Sequence, residues 1–381
     1  TTANMIGEFL ETLSDEYENG GDLNAKYLID LAGRHFNTVR LEQLADNIQT
    51  ELRAGKPNAA LERVVGWNKL ELGVGAGVDV LNDMEAIRQA FESKSDPLIT
   101  FPGALGEFFG SALERDGFIA LEGPDKRGKS FWLSELAYRG VLARRKVAFF
   151  EAGDLSQDQI LRRLLCRVAG VPLDNSRTIK IPTEISRPRG AYTPSLKYKE
   201  RVFDAPLSWR KAWKLTQEFT TKRVKSKETY WRLSCHPNST LTVNAIKGIL
   251  AGWEREGWVP DIVIIDYADI LTNENSRLDA RDQINERWKQ LRALSQSLHC
   301  LVLTVTQTDA AAYKTRVITR SNFSDDKRKL AHVTGMVGLN QTDEEKELGV
   351  MRLNWVVRRE GAFTETTCVN VAGCLALGTP A

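Results

Sequence analysis

Apolar side chains recur at intervals of three and four residues near the start of the chain, which is the spacing of one face of an α-helix. Two such stripes are present. They consist of Met5, Ile6, Phe9, Leu10 and Leu13 in the first and of Leu41, Leu44, Ile48 and Leu52 in the second. A helix with one apolar face needs a partner that covers it, so residues 1–65 are predicted to form a small all-α N-terminal domain.

Residues 66–95 differ in composition from the preceding segment and are predicted to be a linker. The glycine-rich stretch at 73–78, Gly-Val-Gly-Ala-Gly-Val, is typical of a flexible joint. The apolar positions after it return at helical spacing and predict a connector helix. From 96 to 381 strand-like apolar runs alternate with amphipathic ones, which predicts an α/β domain with a mostly parallel central sheet and helices on both faces.

The sequence Gly-Pro-Asp-Lys-Arg-Gly-Lys-Ser at 123–130 lies between an apolar run at 118–122 and a helical pattern. The GxxxxGKS spacing in this context is typical of a P-loop, whose glycines let backbone amides and a helix N-terminus approach phosphates. Lys129 is predicted to reach the β- and γ-phosphates and Ser130 to ligate Mg²⁺. The predicted nucleotide contacts are Gly123, Pro124, Asp125, Lys126, Arg127, Gly128, Lys129, Ser130 and Phe131.

A second motif is the run Asp-Ile-Val-Ile-Ile-Asp-Tyr at 261–267, whose continuous apolar residues predict a strand buried on both faces. Asp266 closes the strand at the edge where ligands bind in open α/β sheets, so it is predicted to hold Mg²⁺ with Ser130 as a Walker B acid. The alternative is a capping Asp. A third strand, at 301–306, ends in Gln307, which is predicted to hydrogen-bond the γ-phosphate or the attacking water and to report nucleotide state.

Five segments in this order resemble the RecA-fold ATPase domain of DnaB-type replicative helicases, especially phage-encoded relatives. They read GPDKRGKS, KVAFFEAGDLSQDQILRRLL, STLTVNAIKGILAGWEREGWVPDIVIIDYADIL, LVLTVTQTD and LNWVVRREG. The resemblance spans about residues 96–370. It implies an ATP- and Mg²⁺-dependent helicase that forms a hexameric homo-oligomer, translocates on single-stranded DNA and unwinds forked duplex DNA during replication. A primase or loader is a further implied partner.

The resemblance also assigns the residue that activates water. In the family this is a Glu after the strand that follows the P-loop helix, and Asp154 stands at its place in this sequence. Asp is shorter than Glu, and Glu151 is the competing candidate for general base. A different role for Asp154 is to cap the helix that begins near Ser156.

The family's arginine finger corresponds to Arg359, two residues before Gly361. Where the family has a Lys two residues before the finger, this chain has Val357, with Arg358 as a substitute cation. An arginine finger stabilises charge on the transferred phosphoryl group and is usually supplied by a neighbouring subunit, so Arg359 implies a ring or filament. The alternative is a solvated basic pair at a strand end.

DNA contacts are expected in two loops, at 272–282 and 309–332, because the corresponding loops of the family face the channel of the ring. Basic side chains that follow phosphates suit a sequence-tolerant single-strand groove. The candidates are Arg277, Arg281, Lys314, Arg316, Arg320, Lys327, Arg328 and Lys329. A charge run of this kind also occurs as ordinary solvated surface.

The interval 172–230 is unusual for a DnaB-type domain and is predicted to be an insertion. It holds 14 Lys and Arg against 6 Asp and Glu, a net charge of +8, and five of the twelve prolines. Its aromatic residues include Tyr192, Tyr198, Trp209, Trp213, Phe219 and Tyr230, and Trp231 follows directly. Basic residues interleaved with aromatic ones suit contact with DNA or with a neighbouring subunit equally well, and a floppy loop is the third alternative.

Other functional classes stay open at this point. The main alternative to a helicase is a RecA-like recombinase or recombination mediator that forms filaments on DNA. The helical N-terminal region and the connector helix favour the ring-forming helicase over the filament-forming recombinase. A regulatory ATPase that acts on proteins fits the net charge of +2, but local basic loops are enough for a helicase of this fold.

The composition is that of a soluble enzyme. The chain has 381 residues, enough for a large core and two domains. No apolar run reaches the length of a membrane span, and the start lacks the apolar core of a signal peptide. The five cysteines contain no CxxC pair and are odd in number, which argues against a disulfide framework or a zinc site. A cytoplasmic location is therefore predicted, in the host if the protein is encoded by a phage.

Overall fold

The computed structural model describes residues 25–65, 79–92, 96–175, 177–186, 194–273, 278–313, 315–322 and 327–380. The chain divides into two compact units, Thr1–Lys94 and Ser95–Ala381. The first predicted stripe, at 5–13, and the glycine-rich stretch at 73–78 lie outside the described residues.

The described part of the first unit is helical. Its helices are α1 (Ala25–Arg53), α2 (Pro57–Val65) and α3 (Met84–Glu92). The second predicted stripe lies on α1, where Leu44 and Ile48 are half-buried. Pro57 begins α2, a position where its missing amide hydrogen costs no hydrogen bond. Helix α3 lies within the segment predicted to hold the connector helix.

The second unit is built on an eight-stranded sheet. Its strands are β1 (Phe118–Gly123), β2 (Val147–Glu151), β5 (Trp231–Cys235), β6 (Ile262–Asp266), β7 (Leu301–Gln307), β8 (Gly335–Asn340), β9 (Val350–Arg358) and β10 (Cys368–Ala372). Their order across the sheet is β10-β9-β8-β1-β7-β6-β2-β5. The six strands from β8 to β5 are mutually parallel, and β9 and β10 pair antiparallel at one edge. The sheet confirms the predicted mostly parallel α/β architecture.

Helices cover both faces of this sheet. In chain order they are α4 (Gly103–Phe109), α5 (Lys129–Leu142), α6 (Gln157–Ala169), α7 (Trp209–Glu218), α8 (Val243–Arg255), α9 (Ala280–Ser297), α10 (Lys329–His332) and α11 (Asp343–Leu348). Helix α5 packs on one face through Trp132 and Leu136, and α9 packs on the other through Trp288 and Leu291. Two hydrophobic cores result, one on each side of the sheet.

Alternation along the strands explains why most positions in the strand sequences are apolar. In β1, Ile119 and Leu121 join the core under α5, whereas Phe118 and Ala120 join the core under α9. Successive side chains of a strand point to opposite faces, so a strand that is covered on both sides has no solvent-facing position for a polar residue. Burial of each large side chain contributes about 1.5–3 kcal/mol.

The described part of the interval 172–230 has regular structure. It forms an antiparallel hairpin of β3 (Thr178–Ser186) and β4 (Ser195–Val202), followed by α7 and a π-helical turn at Phe219–Val224. A small cluster that includes Ile179 and Phe203 joins the hairpin to Leu377 near the end of the chain. Described residues of this interval therefore do not form a floppy loop; Tyr192 lies outside them.

None of the helices that the structure describes combines the length and the apolar composition required to cross a lipid bilayer.

Candidate nucleotide-binding site

The P-loop leaves the carboxyl end of β1 and ends at the first turn of α5. Gly128 has φ +79°, a left-handed conformation that glycine adopts without strain. Gly123 lies against β8, where an added Cβ would lie 3.2 Å from the Cβ of Leu339. The two glycines thus meet a conformational and a steric requirement, as expected for a loop that wraps around phosphates.

The ammonium group of Lys129 lies over the P-loop. Its Nζ donates hydrogen bonds to the carbonyl oxygens of Gly123, at 2.8 Å, and of Pro124, at 3.0 Å. Burial lowers the pKa of Lys129, and the nearby carboxylates of Asp125 and Asp266 oppose that effect. A cation held among carbonyl oxygens at the mouth of a P-loop is positioned to bind an anion there.

Other side chains of the P-loop differ in their surroundings. Asp125 and Lys126 are exposed, whereas Arg127 is buried. The Nη2 of Arg127 donates to Oδ1 of Asp343 at 3.1 Å, which ties the loop to the start of α11. Phe131 is half-buried on α5.

Asp266 lies at the end of β6 and is fully buried. Its environment raises the pKa of Asp266 to about 7, mainly through burial and then through the nearby carboxylate of Glu151, while a hydrogen bond with Ser130 acts in the opposite direction. Within the described residues, its Oδ2 has no hydrogen-bond partner. A buried carboxylate oxygen without a partner beside a serine hydroxyl is the kind of oxygen donor pair that Mg²⁺ prefers. These two residues therefore fit a magnesium ion.

Glu151 ends β2 directly beside Asp266 on β6. Its Oε1 accepts hydrogen bonds from the backbone amides of Gly153 at 3.3 Å, Asp154 at 2.9 Å and Leu155 at 3.1 Å. Burial raises the pKa of Glu151, and these hydrogen bonds lower it by less. The side chain of Glu151 thus shapes the loop that carries Asp154.

Asp154 is exposed on that loop. The N-cap of α6 is Ser156, which accepts a hydrogen bond from the amide of Gln159, while the Gln159 side chain bonds back to the Ser156 amide. This capping box is complete without Asp154. The alternative prediction that Asp154 caps the helix is therefore wrong, because Ser156 occupies that position.

Gln307 closes β7 and pairs in register with Gly123 of β1. The predicted adjacency of Gln307 and the P-loop is present in the fold. The following turn, Ala310–Tyr313, returns to the P-loop: the amide of Asp125 donates a hydrogen bond to the Tyr313 hydroxyl at 3.1 Å. Segment 309–332 thus contacts the P-loop directly.

Arg358 and Arg359 lie beside the amino ends of the parallel strands, opposite the P-loop. Arg358 pairs with Gly335 at the start of β8, and the amide of Arg359 donates to the carbonyl of Thr334, which is itself bonded to Phe118 at the start of β1. About 17 Å of strand separates that end of β1 from the P-loop. Arg359 is exposed, and its guanidinium donates to the Ala331 carbonyl. The guanidinium of Arg358 instead lies 5.3 Å from the ring centre of Trp355.

The two loops predicted to contact DNA meet at one ion pair. Arg328 of the second loop pairs with Asp282 at the first turn of α9, with 2.7 Å between Nη1 and Oδ1. Arg281 and Lys327 are exposed close to this pair in sequence. Arg277 and Lys314 lie outside the described residues.

Arg316 and Arg320 are exposed as well. The carbonyl of Arg316 accepts a hydrogen bond from Arg352, and the guanidinium of Arg320 pairs with Glu365 at 2.9 Å. These contacts hold the middle of segment 309–332 against β9 and the chain that follows it.

The prediction that Lys329 contacts DNA needs correction. Lys329 is fully buried, and its Nζ donates to Oδ1 of Asp269 at 2.8 Å and to Oγ1 of Thr306 at 3.0 Å. The Thr306 hydroxyl donates in turn to Oδ2 of Asp269 at 2.6 Å. A buried ammonium that is neutralised by a carboxylate is a structural ion pair, unavailable to a phosphate backbone.

Sequence reasoning missed this network and the acid beside it. Glu122 is fully buried on β1, and burial, reinforced by Asp309 and Asp269 and opposed by Lys329, raises the pKa of Glu122 to about 9. One signal was available: Glu122 is the single charged residue in an otherwise apolar strand sequence. Asp269 gave no comparable signal, because its partners come from β7 and α10.

Comparisons with known proteins support this architecture. Neither a protein-family model nor a curated protein matches the sequence. Among solved structures, one that consists of an ATPase domain is similar over 77% of this chain and 95% of its own length, with 14% identity and a TM-score of 0.58. A DnaB-like replicative helicase, described with its interactions with primase, is similar over 92% of this chain and 76% of its own length, with 12% identity and a TM-score of 0.61.

Fold and site together define a RecA-like α/β core that carries a P-loop motif. Within that class the fold is the one found in DnaB-type replicative helicases, as the structural neighbours show. The resemblance identified from the sequence motifs is confirmed at the level of the fold.

Proposed function

We propose that this protein is an ATP-dependent DNA helicase that forms a ring, translocates on single-stranded DNA and unwinds duplex DNA during replication. The observation that carries the proposal is that the two halves of the site lie at opposite ends of the parallel strands. The P-loop and Asp266 lie at the carboxyl ends of these strands, and Arg359 lies beside their amino ends. One chain carries both halves of the site but holds them far apart. This arrangement suits an assembly in which Arg359 of each subunit completes the nucleotide site of its neighbour.

ATP and Mg²⁺ are the proposed ligands. Lys129 and the amides of the P-loop would hold the phosphates, and Ser130 and Asp266 would hold the metal. Bound Mg²⁺ supplies charge neutralisation on the phosphates. The buried Oδ2 of Asp266 supports this role because it has no protein partner among the described residues.

Asp154 is the proposed general base. Glu151 already uses Oε1 to bind three backbone amides of the loop, so this oxygen is engaged in shaping that loop, while its buried Oε2 has no partner among the described residues. Asp154 is exposed on the same loop and has no capping duty. We therefore propose that Asp154 accepts the proton of the attacking water and that Glu151 positions Asp154.

Arg359 is the proposed arginine finger. Its distance from the P-loop of its own chain means that the finger must act on a neighbour, where it would stabilise charge on the transferred phosphoryl group. A head-to-tail interface of this kind closes into a ring when its rotation permits. We propose a hexameric homo-oligomer, as in the family that the motifs resemble.

The DNA-facing part of the proposal rests on the loops at 272–282 and 309–332. The hydrogen bond between Tyr313 and Asp125 links the second loop to the P-loop, and Gln307 lies where β7 enters it. Occupancy of the P-loop can therefore change the position of a segment that carries exposed cations. The described candidates for phosphate contacts are Arg281, Arg316, Arg320, Lys327 and Arg328.

A role in replication brings further partners. The DnaB-like structural neighbour is described with its interactions with primase. We propose a primase or loader as a partner of this protein as well, together with forked DNA, in the cytoplasm of a cell or of a phage host.

Strand displacement on a forked duplex tests the proposal. The wild-type protein with ATP and Mg²⁺ is expected to unwind the fork, and imaged particles are expected to be closed rings. Lys129→Ala should remove both hydrolysis and unwinding, because the phosphates lose their main cation. Continuous filaments that pair homologous strands, without unwinding, would instead support the recombinase alternative.

A further inference from the structure

Two tryptophans stand exposed on the outward face of α7, in the insertion. Trp209 and Trp213 are 73% and 66% exposed. They are four residues apart on a helix, so their side chains are neighbours on one face. Tryptophan is on average a highly buried residue, and two adjacent indoles in solvent indicate a binding surface.

The rest of the domain fixes the orientation of this helix. Ala212 is buried and Leu215 packs in the cluster with Ile179 of the hairpin. Phe219, in the turn that follows α7, stacks on Tyr138 of α5 with 5.3 Å between ring centres. The apolar face of α7 is therefore already covered by its own chain, and the indoles form a separate, second face.

The exposed part of α7 also carries cations. Arg210, Lys211 and Lys214 are exposed, and the Arg210 guanidinium lies 4.8 Å from the centre of the Trp209 ring. The helix has one acidic residue, Glu218, which pairs with Lys222 at 3.1 Å. The first two turns of α7 thus present aromatic rings and positive charge without a negative one.

We infer that the outward face of α7 binds single-stranded nucleic acid. Bases stack on Trp209 and Trp213, and phosphates lie beside Arg210, Lys211 and Lys214. Stacking on aromatic rings beside cations that neutralise the backbone is how sequence-tolerant single-strand sites work. An exposed base offers its ring face to an indole, whereas paired bases of a duplex are stacked on each other, so single strands are preferred.

Two other occupants fit the face less well. The centre of a protein interface is depleted of lysine, whereas Lys211 and Lys214 are exposed in the same two turns of α7 as the indoles. A helix that lies on a membrane inserts its apolar face into lipid and keeps its cations on the other face. The apolar face of α7 is buried in the protein, and its cations and indoles share the remaining face.

This surface contains no residue of the nucleotide site. It shares a class of ligand with the proposed function but requires neither ATP nor hydrolysis. A helicase with such a surface would hold a single strand at a point outside the two loops at 272–282 and 309–332.

Binding of a fluorescent oligo(dT) of about 20 nucleotides to the full chain, followed by anisotropy without nucleotide, tests the inference. The Trp209→Ala/Trp213→Ala variant is expected to bind about tenfold more weakly for each indole removed. The Trp209→Phe/Trp213→Phe variant should recover most of the affinity, because a ring remains for stacking. Unchanged thermal denaturation of each variant verifies that it folds.

Salt dependence tests the cations. Lys211→Gln/Lys214→Gln is expected to reduce the slope of log K against log salt by about 0.7 for each lysine that contacts a phosphate. Lys289→Gln is the matched control, since it removes an exposed charge from α9 and should leave the slope unchanged. Equal slopes in the two variants would contradict the inference.

Photocrosslinking locates the contact. An oligonucleotide with 5-iodouracil is expected to crosslink within 209–214, and absence of a crosslink there, with unchanged affinity of the alanine pair, overturns the inference. If the alanine pair lost only its binding to phosphatidylserine vesicles, the face would bind a membrane instead. If it lost only self-association, the face would bind a second copy of this chain. Lys129→Ala should keep the crosslink while it loses hydrolysis, which separates this inference from the proposed function.

Discussion

The hydroxyl of Tyr313 accepts a hydrogen bond from the backbone amide of Asp125 at 3.1 Å. Asp125 belongs to the P-loop, and Tyr313 belongs to the segment that follows β7 and carries candidate DNA contacts. A neutral hydrogen bond therefore joins the P-loop to the segment with the candidate DNA contacts. Gln307, at the end of β7, lies at the start of the chain that connects them.

Tyr313→Phe is expected to weaken the stimulation of ATP hydrolysis by single-stranded DNA by about two- to tenfold, which corresponds to the loss of one hydrogen bond of about 0.5–1.5 kcal/mol. Hydrolysis without DNA should stay close to wild type, because the catalytic side chains are retained. Tyr198→Phe is the control, since its hydroxyl, in the hairpin, donates to the Leu348 carbonyl. Equal stimulation in all three proteins would argue against coupling through Tyr313.

Asp154→Asn is expected to lower kcat by about 10²–10⁴-fold with little change in nucleotide affinity, because the base is lost and the P-loop is kept. Glu151→Gln should lower kcat less, since the amide oxygen can still accept hydrogen bonds from the loop. Single-turnover hydrolysis and a separate binding titration measure the two quantities. Asp154→Glu should remain active. The reverse order, with Glu151→Gln inactive and Asp154→Asn active, would assign the base to Glu151.

The motif residues were predictable because their positions follow from local sequence. The strand that ends in Asp266 is a continuous apolar run, as expected for a strand buried on both faces. Parallel strands bring their carboxyl ends to one edge, so Gly123 and Gln307 could be expected to meet before the fold was known. The pattern of apolar residues and the parallel direction of the strands were sufficient to predict this part of the site.

Other features depended on contacts between distant parts of the chain. Lys329 stands in a basic sequence and has the appearance of a surface lysine, but its partner Asp269 is sixty residues earlier and the pair is enclosed. The Lys329–Asp269 pair is not local, so sequence pattern could not report it. The hairpin at 178–202 is local but was missed for another reason, because Pro182 interrupts the strand pattern of β3 at a bulge.

Mixed oligomers test whether Arg359 acts on a neighbour. Lys129→Ala and Arg359→Ala are each expected to lower kcat about 10³-fold or more. Mixing the two should restore part of the activity, because some interfaces then combine an intact P-loop with an intact Arg359. Mixing Lys129→Ala with Asp266→Ala is the control and should restore none, since both changes lie in the same half of the site. Equal recovery in the two mixtures would place the finger elsewhere.

Lys329→Ala is expected to destabilise the protein by about 3 kcal/mol, because it leaves the largely buried Asp269 carboxylate without its counter-ion. Lys327→Ala, two residues earlier and exposed, should change stability by about 0.5 kcal/mol or less. Urea denaturation followed by tryptophan fluorescence measures both. If Lys329→Ala were as stable as Lys327→Ala and bound DNA more weakly, Lys329 would return to the list of DNA contacts.

Glu122 makes stability depend on pH. Burial is the main cause that raises the pKa of Glu122 from its ordinary value of 4.5 to about 9, with Asp309 and Asp269 acting in the same direction and Lys329 against it. The folded chain then keeps a proton that the unfolded chain releases above about pH 4.5. The stability from this group is full below that pH and is lost progressively as the pH rises to about 9.

Glu122→Gln keeps the shape of the side chain and removes its titration. The stability of the variant relative to wild type is therefore expected to increase with pH between about 5 and 9, by up to about 1.4 kcal/mol per pH unit. Urea denaturation at several pH values measures the difference. Glu107→Gln, a change at an exposed glutamate on α4, is the control and should give a nearly constant offset from wild type. Parallel stability curves for Glu122→Gln and wild type would mean that Glu122 is ionised in the folded protein, with Lys329 as the counter-ion that makes its burial tolerable.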